Sequence, residues 1–133
     1  MSKENIEIPK GNTPEARQKR MNIIRQYAGR MKGDEVYCPV LGAKVVINGT
    51  GIGEMIEHSS KSYLSTMAVL DLKHQIAIAK FFRYHIPKDN KQKKRGYLFM
   101  IELHGDLDGK ATKIIVGVKL TAQYKHYCIT TLE

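Results

Sequence analysis

Residues 112–121, TKIIVGVKLT, alternate between apolar and mostly polar positions. One face would carry Ile114, Val116, Val118 and Leu120, and the other Lys113, Ile115, Gly117, Lys119 and Thr121. This period of two is typical of an antiparallel strand with one buried face. Strands at 97–104 and 124–132 flank it, joined to it by the Asp108-Gly109 step and by a short connection after Thr121. The last third therefore predicts a three-stranded meander.

Helical patterns precede this sheet. Thr13 can cap a helix with Pro14 at its first position, and helical spacing of apolar residues continues to Gly33, which predicts a helix at about 14–32. A short strand follows at 44–48. A long central helix is predicted to start near Ser60 to Ser62, where serine hydroxyls can cap it, with an apolar stripe formed by Leu64, Met67, Ala68, Leu72, Ile76, Ala79 and Phe82. The fold class is α+β: an N-terminal helix, one or two short strands, and a long central helix packed on a C-terminal antiparallel sheet of three to five strands.

The length and composition predict one domain. The chain has 133 residues, of which 42% are hydrophobic and 26% charged, as in single soluble domains. Residues 1–12 are polar and lack periodicity, so we expect a flexible arm followed by one globular domain at 13–133. No signal peptide and no run of roughly 18 apolar residues is present, which predicts no membrane association. Two distant cysteines, Cys38 and Cys128, predict buried free thiols and a cytoplasmic location.

The charge predicts a polyanionic partner. The net charge is +9, and such a surface attracts nucleic acid, although a basic surface can also serve only solubility. The basic residues after the predicted long helix form a candidate nucleic-acid-binding set in an exposed, mobile loop. They are Arg83, Lys88, Lys91, Lys93, Lys94 and Arg95. A solvated loop tip is the equally simple interpretation of this set.

A glycine-rich turn stands between the short strand and the long helix. Residues 45–62 read VVINGTGIGEMIEHSSKS, with alternating glycines at 49, 51 and 53. The spacing fits neither a Walker A loop nor a dinucleotide-binding loop, so a structural turn is favoured over a nucleotide site. The five histidines and two cysteines lack the spacing of a zinc site. We therefore predict neither a metal nor a cofactor.

His58 is the candidate catalytic residue of this turn. If the turn is helical, Glu54, His58 and Lys61 share one face, where glutamate would orient the imidazole and lysine would bind phosphate. A surface helix entrance with ordinary ion pairing explains the same residues. His85 would lie at the other end of the long helix, and about 20 helical residues span roughly 30 Å. We therefore expect a single site to contain His58 or His85, not both.

The closing strands add a second group of candidates. Lys119 projects from the polar face of the middle strand, and Tyr127, Thr130 and Thr131 belong to the last strand. Lysine, tyrosine and threonine on a sheet face suit metal-independent RNA cleavage, which needs a base, an acid and cations around the phosphate. Threonine is also a common strand residue, and Lys119 facing water is the simpler alternative.

The chain also resembles a known family. The runs VVINGTGIGEMIEHSSKS, LSTMAVLDLKHQIAIAKFF, KIIVGVKL and HYCITTL look like the large polyvalent protein-associated domains of phages and conjugative elements, over about residues 35–132. These domains are similar in architecture to the barnase, EndoU, colicin and RelE nuclease-like superfamily. The resemblance implies helices packed on an antiparallel sheet, RNA as the favoured substrate, and a place for a neutralising protein partner. It carries a site onto Glu54, His58, Lys61, Lys119 and Thr130.

Two functions follow as hypotheses. The first is a metal-independent endoribonuclease in which His58 is the general acid or base, Glu54 its partner, and Lys61 and Lys119 the phosphate ligands. The second is a non-catalytic module that binds nucleic acid or a protein. The position of His58 relative to Lys119 and Thr130 separates them, because the enzyme needs these side chains around one cleft.

Overall fold

A computed structural model describes residues 7–86 and 90–132, with the side chains of Asn90 and Lys91 left aside. Its elements are α1 (Pro14–Gly29), β1 (Glu35–Cys38), β2 (Ala43–Ile47), α2 (Gly49–His58), the 3-10 turn η1 (Ser59–Lys61), α3 (Tyr63–Leu70), α4 (Leu72–Ile78), β3 (Lys80–His85), α5 (Asn90–Lys94), β4 (Tyr97–Leu107), β5 (Lys110–Lys119) and β6 (Tyr124–Thr131). The predicted α+β class, the N-terminal helix and the C-terminal meander are confirmed.

The sheet has six strands in the order β1-β2-β6-β5-β4-β3. All neighbouring pairs are antiparallel except β2 with β6, which is parallel. It exceeds the predicted three to five strands because the segments before and after the helices also join it. Residues 80–85, KFFRYH, form β3 rather than the end of a helix, since an aromatic run fits a pleated surface and pairs with β4.

The expected long helix is divided into shorter segments. α2 already begins at Gly49, where the Asn48 side chain accepts a hydrogen bond from the backbone N–H of Gly51. α3 begins after Ser62, which caps it in the same way. Asp71 leaves helical geometry between α3 and α4, and the chain is extended again at Ala79. The prediction of one helix to Phe82 is therefore wrong, because local caps and strand pairing override the apolar stripe.

One face of the sheet packs on α3 and α4. Thr112 of β5 donates a hydrogen bond to Gln75 of α4, and the backbone N–H of Thr131 donates to Ser65 of α3. The core on this side is formed by Ile24, Ala28, Ala68, Val69, Leu72, Ile76, Leu103, Ile114, Val116 and Ile129, all fully buried. The predicted alternation of β5 is thus confirmed from Ile114 to Val118. Leu120 departs from it, since it lies beyond the strand with 73% of its surface exposed.

The buried residue Arg20 of α1 ties the chain before α1 to η1. Its guanidinium donates hydrogen bonds to the carbonyls of Pro9 and Gly11 at 2.9 and 2.7 Å, and to the carbonyl of Ser60 at 2.7 Å. These contacts satisfy a buried cation with three oxygens. The last part of the predicted N-terminal arm is therefore held against the domain, and residues 1–6 lie outside the described residues.

The segment α2–η1 lies beside the second half of β6. β2 pairs with β6 only at residues 124–126, and beyond that point the Ser59 hydroxyl donates to the carbonyl of Ile129. Gly51 permits this approach, because a Cβ there would overlap the backbone carbonyl of His126. The first glycines of the motif are thus the first turn of a helix packed on a strand, and α2 ends near the sheet face opposite α3 and α4.

Candidate active site

A pocket of about 580 Å³ lies on the sheet face opposite α3 and α4. On this face β5 presents Lys113 and Ile115, which pair with Thr130 and Cys128 of β6. The pocket is lined by Glu54, Glu57, His58, His85, Ile86, Gln92, Met100, Lys113, Ile115, Tyr127, Cys128 and Thr130. Ionisable side chains thus converge from a helix end, an edge strand and the middle of the sheet.

His58 stands at the C-terminal end of α2. Its Nε2 lies 3.4 Å from Glu54 Oε1 and 3.1 Å from Glu57 Oε2. The Glu54 contact is the i,i+4 pair of a regular helix. Both carboxylates contact Nε2, so they fix the orientation of the ring.

Glu54 is buried and also bonded to a residue from the predicted basic loop. Arg95 Nη1 lies 3.2 Å from Glu54 Oε2 and 3.1 Å from the hydroxyl of Tyr127. Its guanidinium also lies 5.9 Å from the centre of the Tyr127 ring. A buried carboxylate needs such a partner, because desolvation disfavours an unpaired charge. Arg95 therefore anchors the carboxylate that orients His58.

His85 is held on the other side of the pocket by Glu102 of β4. Its Nε2 lies 2.9 Å from Glu102 Oε1, which is also 3.2 Å from Arg83 Nε. The second oxygen, Oε2, lies 2.6 Å from His104 Nε2. Burial alone would raise the pKa of Glu102, but hydrogen bonds from His104, His85 and Arg83 hold this pKa at about 2. Glu102 is therefore ionised at neutral pH and bonds both imidazoles.

Cys128 is an unsuitable nucleophile although it lines the pocket. Burial raises the pKa of its thiol to about 11, opposed in part by a hydrogen bond with Ser59. The thiolate is the reactive form, so this side chain is inert at neutral pH. Cys38 is buried as well, and both cysteines are free thiols, as predicted. The chemistry of the pocket accordingly rests on imidazole, carboxylate and ammonium groups.

The structure brings together three of the five predicted site residues. Glu54, His58 and Thr130 line the pocket. Lys61 is exposed at the end of η1 and is not among the lining residues. Lys119 also lies outside the lining, since its ammonium group donates to the carbonyl of Arg95 and lies 4.3 Å from the centre of the Tyr97 ring. The lysine that reaches the pocket is Lys113, on the same face of β5.

The six predicted nucleic-acid-binding residues do not form one exposed loop. Arg83 and Arg95 form ion pairs with buried glutamates, as described above. Lys93 and Lys94 are exposed on α5. Lys91 belongs to the same helix but its side chain is outside the described part of the chain, and so is all of Lys88. The prediction of a loop at 90–94 is wrong, because these residues form a short helix.

Glu102 is a functional candidate that sequence reasoning missed, and His85 is one that it set aside in favour of His58. The expectation that His58 and His85 cannot share a site is wrong, because no continuous helix separates them. After α4 the chain returns as β3, and both histidines line one pocket. The available signal was the pattern of Met100, Glu102 and His104 at alternate positions of a predicted strand, which places a carboxylate and an imidazole on one face.

One side-chain group within the described residues has the geometry to hold a metal ion. Ligand atoms of Glu54, Glu57 and His58 lie within 4.8 Å of one another. The Arg95 guanidinium on Glu54 competes with a cation for that carboxylate.

Within residues 7–86 and 90–132, no helix is long and apolar enough to cross a membrane.

Comparison with known proteins identifies a family. The model of a family described as large polyvalent protein-associated domain 3 matches residues 14–127. This range includes every residue that lines the pocket except Cys128 and Thr130. No curated protein and no solved structure matches the chain.

Proposed function

The chain belongs to the large polyvalent protein-associated domain 3 family, and we propose that its pocket cleaves RNA by metal-independent general acid–base catalysis. One observation carries the proposal: His58 and His85 line the same pocket, and each is bonded through Nε2 to a carboxylate. Imidazole is the side chain whose ordinary pKa allows it both to accept and to donate a proton near neutral pH. Two of them in one pocket supply the base and the acid.

RNA provides the nucleophile for this reaction. One imidazole takes the proton of the 2′-hydroxyl, whose oxygen forms a bond to the adjacent phosphorus. The bond from phosphorus to the 5′ oxygen breaks, and the second imidazole gives that oxygen a proton. The products are a 2′,3′-cyclic phosphate and a 5′-hydroxyl. One imidazole has then gained a proton and the other has lost one, and exchange with water or hydrolysis of the cyclic phosphate returns both to their starting states.

Lys113 and Thr130 complete the site. They are neighbours across β5 and β6 and both line the pocket, which supports our proposal that they contact a phosphate held between the imidazoles. A positive charge there stabilises the extra negative charge of the pentacoordinate phosphorus. The net charge of +9 supports the same substrate class, because it attracts a polyanion over a distance.

The test is cleavage of end-labelled single-stranded RNA in EDTA by the unmodified chain, His58→Ala and His85→Ala. We expect each substitution to lower kcat/KM by roughly 10²- to 10⁴-fold, because it removes one proton-transfer group. His74→Ala is the matched control, since His74 is exposed on α4 and bonded to Asp71 outside the pocket. A 2′-deoxy sugar at the cleaved position should abolish cleavage.

Three outcomes contradict the proposal. Cleavage that survives both histidine substitutions places the chemistry elsewhere. Cleavage that EDTA abolishes indicates a metal-dependent reaction at Glu54, Glu57 and His58. RNA binding that falls steeply with salt, without any cleavage, indicates the non-catalytic binding module instead.

A further inference from the structure

We infer that the exposed ring of Phe82 is a stacking site for a base of single-stranded RNA next to the bond that is cleaved. The inference rests on the proposed function for the reaction, but the binding it describes can be measured without cleavage. Phe82 belongs to β3, the last strand in the order of the sheet, and 51% of its surface is exposed. An aromatic residue this exposed on an edge strand has no role in the core.

The ring of Phe82 is already part of a stack. It lies parallel to the imidazole of His104, with 4.1 Å between the ring centres and 17° between the planes. The guanidinium of Arg83 lies 5.2 Å from the centre of the same ring. Stacked rings and guanidinium planes are the surfaces on which unpaired bases bind, because every base has a π-face. The half-exposed ring thus extends a planar surface into solvent.

This surface is joined to the pocket through Glu102. The same carboxylate binds His104, which stacks on Phe82, Arg83, whose guanidinium lies over the Phe82 ring, and His85 in the pocket. Phe82 precedes His85 by three residues on β3, which is about 10 Å along an extended strand. The pairing register of β3 with β4 shifts between Phe81 and Arg83, so Phe82 departs from the regular alternation. A base on Phe82 would belong to a nucleotide close to the phosphate in the pocket.

The other exposed aromatics of β3 make different contacts. Phe81 packs on Tyr84 at 4.8 Å between ring centres, and Tyr84 packs edge-on against Phe99. Tyr84 pairs with Ile101, which belongs to the face turned away from the pocket. The aromatic surface of β3 is therefore divided, and Phe82 is the member that shares contacts with the groups around His85.

The substrate class follows from this geometry. A base can lie on Phe82 only if it has left the stack of its own strand, so the preferred RNA is single-stranded or looped rather than duplex. Stacking is tolerant of base identity, so it contributes affinity and position more than sequence selection. The net charge of the whole chain, +9, favours a nucleic acid over a neutral apolar partner.

The first experiment measures binding without cleavage. A fluorescent all-2′-deoxy single strand, which lacks the nucleophile, is titrated with the unmodified chain and with Phe82→Ala, Phe82→Leu and Phe82→Trp. We expect Phe82→Ala and Phe82→Leu to weaken binding roughly 5- to 100-fold, because both lose the planar ring, and Phe82→Trp to retain it. Phe81→Ala is the control, as a neighbouring aromatic of similar exposure, 44%, outside this stack.

The second experiment compares substrates. If the ring holds a base next to the cleaved bond, Phe82→Ala should lower kcat/KM more for a single-stranded RNA than for the same strand in which the two nucleotides flanking that bond carry no base. An equal loss on both substrates would mean that the substitution acts by disturbing His85, and this overturns the inference. So would equal binding losses from Phe81→Ala and Phe82→Ala, or self-association that depends on Phe82 while binding of the single strand does not.

The two proposals fail separately. If the chain never cleaves RNA but Phe82→Ala and Phe82→Leu still weaken binding of the deoxy strand, the stacking site stands and the catalytic proposal falls. If cleavage depends on His58 and His85 but substitution of Phe82 leaves binding of the deoxy strand unchanged, the catalytic proposal stands and the stacking site falls.

Discussion

The two histidines of the pocket are held in different ways. His58 lies at the end of α2, and its carboxylates belong to the same helix, four residues and one residue earlier. His85 lies on an edge strand, and Glu102 comes from the neighbouring strand β4. Glu57 is 60% exposed, whereas Glu102 is only 3% exposed. The contact of His58 with Glu57 is thus local and exposed to solvent, whereas the contact of His85 with Glu102 is long-range and shielded from it.

This difference predicts where a lost carboxylate matters for stability. An exposed ion pair contributes little, since water and salt screen it, while a buried carboxylate that loses its charge leaves several donors without a partner. The His85 region should therefore be the more sensitive to substitution, and the His58 region should depend more on how α2 is positioned. Four predictions follow the comparison from the larger effect to the smaller.

Glu102→Gln should destabilise the fold much more than Glu57→Gln. The pKa of Glu102 is lowered from 4.5 to about 2 by its three partners, which corresponds to about 3 kcal/mol at neutral pH. Glu57→Gln removes a surface contact worth at most about 1 kcal/mol. Urea unfolding of both variants at pH 7 measures the two losses. Equal losses would show that the two regions are not held differently.

The pH dependence of stability separates Glu102 from a second buried group. Because the pKa of Glu102 is lowered, its contribution is complete above pH 4.5 and is lost as the pH falls toward about 2. Burial lowers the pKa of His126 from 6.5 to about 4, against a smaller opposing effect of the Cys128 backbone. As the pH falls, His126 therefore binds a proton in the unfolded chain before it does so in the folded chain. The free energy of unfolding falls by about 3 kcal/mol between pH 6.5 and about 4.

His126→Leu is the variant that tests this assignment. It should remove the loss of stability between pH 6.5 and about 4 and leave the loss from Glu102 below pH 4.5. Unfolding free energies in urea over a series of pH values measure both parts. An unchanged slope in the upper range would show that His126 is not the group that titrates there.

Gly51→Ala should disturb the His58 region through the position of α2. A Cβ at Gly51 would overlap the backbone carbonyl of His126, which cannot move without shifting β6, so we expect a loss of about 2 kcal/mol. Gly53→Ala is the matched control two residues along the same helix, where a Cβ meets nothing within 4 Å. It should stabilise by up to about 1 kcal/mol through helix propensity. Thermal unfolding distinguishes the two, and similar shifts would contradict the close packing of α2 on β6.

Lys113→Ala and Lys61→Ala compare a lysine inside the pocket with one outside it. Lys113 lines the pocket and Lys61 is exposed beyond it. We expect Lys113→Ala to lower kcat/KM for RNA about tenfold, or about 1.4 kcal/mol, and Lys61→Ala to change it less than about twofold. A larger loss from Lys61→Ala would restore the site predicted from the sequence alone.

The local part of the fold was predictable. Caps, glycines and period-two alternation placed the N-terminal helix and the closing meander, because these features depend on neighbours within a few residues. The long helix was predicted correctly at its start, where Ser62 caps α3, but not in its middle, where Asp71 interrupts it, or at its end. Its apolar stripe was real, but Asn48 and Ser62 start separate helices, and the aromatic run of β3 gains more from pairing with β4 than from extending a helix.

The candidate site was likewise predictable only where it depends on neighbouring residues. The pairing of Glu54 with His58 follows from i,i+4 spacing and is present in α2. The partner of Glu54, Arg95, lies 41 residues away and belonged to a predicted mobile loop. His85 was assigned to the far end of the long helix, whereas it lies at the end of the edge strand β3. These errors share one cause, since each concerns contacts between segments distant in the sequence.

The sequence by itself determined the α+β class, the basic charge, the meander and the local Glu54–His58 pair, because propensity, capping and periodicity act over short distances. The tertiary structure alone decided that His85, bonded to Glu102, lines the same pocket as His58. It also decided that Lys113 rather than Lys119 reaches this pocket. Strand order and register set those distances, and they arise from burial of the whole core rather than from any local run of residues.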